Sequence, residues 1–119
     1  MQLTINGKEY NFKFGVKFVR ELDKEFGVVK EGISFGMALN TKVPELFGGS
    51  ATALSDFLYA ASVTESPRPS ADDIDDFVDT VKDIEPIFDE VIKELEESNA
   101  GKLAMRSMKE QLKGNKKKK

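Results

Sequence analysis

A chain of 119 residues has the length of one ordinary domain, and its 9 phenylalanines within a 39% apolar fraction can furnish a core. It contains no histidine and no cysteine, which excludes Ser-His-Asp and Cys-His catalysis, disulfides and most zinc sites and leaves only carboxylates, lysine, tyrosine or a cofactor for any chemistry. The net charge of −3 hides a segregation: residues 1–69 hold 8 basic and 8 acidic groups, residues 70–98 hold 2 and 12, and residues 99–119 hold 8 and 1.

Met1 to Gly7 shows no basic start leading into an apolar stretch, and runs such as Phe57 to Ala61 fall far short of the roughly 20 residues of a membrane span. A soluble, cytoplasmic protein without membrane contact is expected. Asn6-Gly7 is a strong two-residue hairpin signal, flanked by Leu3 and Ile5 on one side and Tyr10, Phe12 and Phe14 on the other, all at period two. From Val16 the period becomes helical through Phe18, Val19, Leu22 and Phe26, with Gly27 placed as a left-handed cap. Ser34 is expected to cap a second helix carrying Phe35, Leu39, Val43, Leu46 and Phe47, which Pro44 kinks or splits.

Gly48-Gly49-Ser50 ends that element, and Leu54, Phe57, Leu58 and Ala61 mark the inner stripe of a third helix. The prolines of Ser66 to Ser70 break the chain, and Ser70 with Asp73 forms a capping arrangement for a fourth helix bearing Ile74, Phe77, Val78 and Val81. A fifth helix follows, with Asp83 as cap, Pro86 in its first turn, and Ile84, Ile87, Phe88, Val91, Ile92 and Leu95 inward; Asn99-Ala100-Gly101 is its expected C-cap. Beyond it Met105, Met108 and Leu112 form a thinner stripe among lysines. The predicted architecture is mainly α, an N-terminal β-hairpin packed on a bundle of about five helices. One domain spans residues 1–112, and a disordered Lys-rich tail spans 113–119, where no apolar residue offsets the entropy of ordering.

Candidate chemistry is sparse. Asp72-Asp73-Ile74-Asp75-Asp76 has carboxylates but not the alternating ligands and glycine of a calcium loop, and it reads as the solvated start of a helix. Gly48-Gly49-Ser50 lacks the Gly-Lys-Ser/Thr ending of a phosphate loop. No carboxylate pair stands out for hydrolysis, and no metal or cofactor is expected. The terminal lysines lack interleaved aromatic residues, so nucleic acid is not an expected partner. The Met105, Met108 and Leu112 stripe has two readings, packing against the fifth helix or adaptable contact with an apolar partner.

Several stretches together carry a resemblance: Gly32 to Met37, Leu54 to Ala61, Arg68-Pro69-Ser70, Ile87 to Ile92 and Ser98 to Lys102. From the hairpin to about Met108 the chain resembles tail assembly chaperones of long-tailed, siphovirus-type phages infecting Gram-positive bacteria. That resemblance implies a non-enzymatic protein of the infected cell, absent from the mature virion, which self-associates and keeps the apolar, helical tape measure protein soluble while tail tube subunits polymerise. Phe47, Met105, Met108 and Leu112 are then the expected contacts with the tape measure protein. Lys116 to Lys119 must be encoded by AAA or AAG codons, so a ribosome slipping there would make the longer form that, in many such phages, helps recruit the major tail tube protein. Two other classes stand beside this reading, a phage regulatory or anti-host adaptor binding one folded host protein, and a carboxylate-based hydrolase.

Overall fold

A computed structural model describes the backbone of residues 1–117 and the side chains of these residues other than 29, 33–36 and 114–117. Asn6 and Gly7 both take positive φ, 53° and 78°, which is the type I′ combination. They join β1 (Gln2–Ile5) to β2 (Lys8–Asn11) with Leu3 opposite Tyr10. Leu3, Ile5 and Tyr10 are buried, and the alternation continues past the ladder to Phe12 and Phe14.

Helix α1 (Val16–Phe26) turns Phe18 and Leu22 inward. Gly27 ends it in an extended conformation, φ −70°, not in the left-handed one expected. Glycine is required there by proximity: a Cβ would stand 2.3 Å from the Asp23 carbonyl oxygen, which accepts the Gly27 amide at 2.8 Å.

The next segment departs furthest from expectation. A second antiparallel hairpin, β3 (Val28–Lys30) with β4 (Ile33–Gly36), replaces the start of the second helix. Glu31 and Gly32, at φ 54° and 77°, repeat the turn chemistry of Asn6 and Gly7, and the flanking β-branched residues suit strands. Ser34 therefore lies in β4 and not at a helix start. Helix α2 begins only at Ala38 (Ala38–Phe47), behind a left-handed Met37 that offers no side-chain cap. Its first amide is capped from a distance, because the Asp23 carboxylate accepts the Ala38 N–H at 3.1 Å. Pro44 does not split α2. Buried Leu39, Val43 and Leu46 hold both sides of it, and the helix forgoes only the hydrogen bond that residue 44 would give to the Asn40 carbonyl.

Helix α3 (Ala51–Ala61), capped by the Ser50 hydroxyl accepting from the Ala53 amide at 3.1 Å, is buried on nearly every side. It packs against α1, α2 and α4 (Ala71–Thr80). Phe57 meets Phe18 edge-on at 5.8 Å, and Phe18 meets Phe14 at 5.0 Å, so three rings join α3, α1 and the strap after β2. That strap is also tied by its backbone, since the Lys13 amide donates to the Ala61 carbonyl at 2.8 Å. Arg68 closes the other side of the same helix end: it donates to the Ser62 hydroxyl and the Tyr59 carbonyl, each at 3.0 Å, and lies 3.9 Å over the Tyr59 ring. The Ser70 hydroxyl caps α4 as expected, accepting from the Asp73 amide at 3.0 Å. Within α4 the Asp75 carboxylate accepts from the buried Ser55 hydroxyl of α3, and Asp73 accepts from Asn6 at 3.3 Å.

Helix α5 (Glu85–Glu97) starts behind Ile84, which has helical dihedrals, so Asp83 stands one residue too early to cap it. The Ile84 carbonyl accepts the amides of Ile87 and Phe88 instead. Ser98, in an extended conformation, is the C-cap in place of Asn99-Ala100-Gly101. Gly101 belongs to the following turn, where its amide donates to the Ser98 hydroxyl at 3.0 Å and a Cβ would stand 2.8 Å from the Leu95 carbonyl oxygen. A sixth helix, α6 (Lys102–Lys117), then lies against α5 and α2. Its backbone is helical to Lys117, inside the Lys-rich segment 113–119 expected as a tail. Lys118 and Lys119, part of that expected tail, lie outside the described residues. The molecule is thus mainly α with an N-terminal hairpin, and nearly all the buried apolar side chains among the described residues form one cluster from Leu3 to Met105.

Candidate partner-binding surface

The four residues expected to touch a partner occupy three different environments. Met105 is only 1% exposed and belongs to the core cluster. Phe47 and Met108 are half-buried against that cluster, and Leu112 is 41% exposed. Met105 is therefore not available as a contact in this conformation. A thin apolar stripe on a lysine-rich helix has to be spent on anchoring the helix, and Met105 is the side chain that does it.

The rest of α6 is divided lengthwise. Lys102, Arg106, Lys109 and Lys113 recur at i, i+4, i+7 and i+11 along one flank, where Lys109 pairs with Glu96 of α5. On the other flank Leu103, Ser107, Met108 and Gln111 face Asn40, Val43 and Pro44 of α2 across an open groove of about 370 Å³. None of the described residues lining this groove is ionisable, in a chain that is 33% charged. The one lysine of α2 is held elsewhere, with its ammonium 2.8 Å from Asp56 and 4.0 Å over the Phe26 ring. Leu103 stands at the rim and is 65% exposed, the most of any large apolar side chain among the described residues.

The sequence reading followed one apolar stripe, Met105, Met108 and Leu112, so it found Met108 and passed over Leu103, which lies off that stripe, the polar Asn40 and the groove-facing side of Pro44. A signal for the α6 half was present. Uncharged residues of any kind recur at 103, 104, 107, 108 and 111, one continuous helical stripe within a basic segment. Nothing in the sequence indicated that α2 supplies the opposite wall.

Hairpin, helices and groove define a small helical domain with an uncharged cleft between two of its helices. The chain belongs to the phage tail assembly chaperone protein family, whose model matches residues 2–110. Its role accordingly lies in the assembly of phage tails. The match takes in both walls of the groove nearly to their ends and stops short of Leu112 and the terminal lysines. Neither the curated proteins nor the solved structures yield a match.

Proposed function

We propose that the protein binds the tape measure protein of its phage, keeps that long apolar chain soluble and helps bring tail tube subunits to it, without catalysing a reaction. Family membership over residues 2–110 carries this reading, and the open, uncharged groove between α2 and α6, rimmed by exposed Leu103, supports it with a surface that can seat a helical client. The reading places the work in the cytoplasm of a Gram-positive host infected by a siphovirus-type phage, before the virion is complete. A longer form produced by slippage at the codons of Lys116 to Lys119 would carry the contact with the tube subunit. Coexpression with the tape measure protein encoded by the same phage tests the central claim. A client that is insoluble alone should become soluble and co-purify with the chain; recovery of a folded host protein in its place would favour an adaptor.

Self-association is part of the same reading. The α4 surface exposes Asp72, Asp76 and Asp79, while Lys102, Arg106 and Lys113 are exposed on α6, so the two regions of neighbouring copies attract one another. Such contacts weaken as salt shortens the screening length. Sedimentation should therefore show oligomers at low salt that dissociate as salt is raised, and a monomer under both conditions would remove this part of the reading.

A further inference from the structure

We propose that the groove between α2 and α6 seats an amphipathic helix of defined chemistry, with an uncharged ridge of aliphatic and hydroxyl or amide side chains bordered by an acidic flank. That the helix belongs to the client rests on the function proposed above; the chemistry of the seat does not. An ionisable side chain pressed into this groove would lose its water and meet no counter-charge, so the ridge that enters is uncharged. The walls are not purely apolar, however. Pro44 has no amide hydrogen to give the Asn40 carbonyl, which leaves a backbone acceptor on the α2 wall, and the side chains of Asn40, Ser107 and Gln111 add further hydrogen-bonding groups. A ridge of leucine and alanine alone would bury these without partners, whereas one interspersed with serine, threonine or asparagine satisfies them.

The charge of the flank follows from α6. Lys102 and Arg106 adjoin Leu103 on its outer face and Lys113 continues the row, all three exposed; Glu110, exposed seven residues after Leu103, is the one acid of α6 on that edge and leaves it net basic. A helix resting on the Leu103 rim therefore runs its outer side along a basic edge, and acidic residues there gain where basic ones are repelled.

Two fluorescently labelled model helices sharing one Leu/Ala/Ser ridge, the first flanked by glutamates and the second by lysines, are titrated with the full chain and followed by anisotropy. The acidic peptide should bind at least about tenfold more tightly at low salt, and the difference should shrink as salt is added. Leu103→Glu should weaken the acidic peptide by about tenfold or more. Val16→Glu, at a side chain 61% exposed on α1, should leave binding unchanged. Both sites are exposed, and equal melting curves confirm that neither change unfolds the domain. Equal binding of the two peptides, or equal effects of the two substitutions, overturns the proposal. So does a Leu103→Glu variant that keeps the peptide and loses only self-association, because the groove would then be a contact between copies. Coexpression separates this inference from the function: a tape measure protein solubilised equally by wild type and Leu103→Glu removes the groove and leaves the chaperone reading. Peptide discrimination without any solubilisation by wild type removes the client and leaves the groove.

Discussion

Truncation of Phe57 to alanine is expected to lower the unfolding free energy by about 3–5 kcal/mol and the melting midpoint by on the order of 10–20 °C. Phe57 is fully buried in α3, the helix against which α1, α2 and α4 all pack. Its ring also ends the edge-on series through Phe18 to Phe14, so its loss opens a cavity where three parts of the chain meet. A domain of this size is stable by only about 5–15 kcal/mol, so the variant would lose from roughly a fifth to all of that margin. Thermal and urea denaturation followed by circular dichroism measure the effect, with Val16→Ala on the exposed side of α1 as a near-neutral reference. A loss below about 1 kcal/mol would mean that α3 is not the centre of the fold.

Met105→Ser is expected to cost about 2–5 kcal/mol, since it removes a fully buried thioether and places a hydroxyl where an apolar group sat. The loss should be felt first in α6, because Met105 is the only side chain of that helix in the fully buried core among the described residues, while Ala104 and Met108 are half-buried. Amide hydrogen exchange should quicken along α6 well before it does in α3. Unchanged exchange in α6 would show that other contacts hold the helix. The experiment also bears on client binding. Changing Met105 and Met108 together to serine would undock α6 and dismantle the groove wall, so lost client solubility would report a damaged chaperone and not a missing contact. Leu103→Glu leaves the anchor in place and is the cleaner probe of the surface.

Much of the architecture follows from chemistry that operates between near neighbours and is therefore legible in the sequence. Asn6-Gly7 makes its type I′ turn from its own dihedral preferences, Ser70 reaches the Asp73 amide three residues on, and the apolar spacing of α1, α3, α4 and α5 is that of a helix with one buried face. The same local logic excluded histidine and cysteine chemistry, and the family resemblance carried by short stretches led to tail assembly, where the family match also places the chain.

Tertiary structure decided the rest. Val28 to Gly36 carries a turn signal in Glu31-Gly32 that is weaker than Asn-Gly because glutamate resists positive φ, and the contact of β4 with α1 supports the hairpin there. The start of α2 depends on Asp23 of another helix, and Gly27 is needed because of a carbonyl that approaches it and not because of its own dihedrals. Met105 and Leu103 look alike in sequence, two apolar residues among lysines, yet one anchors α6 and the other stands in solvent. Their difference arises from which side of α6 meets α2 and α5. Burial belongs to both surfaces of a contact, and the second surface, supplied by residues far away along the chain, cannot be read from the first.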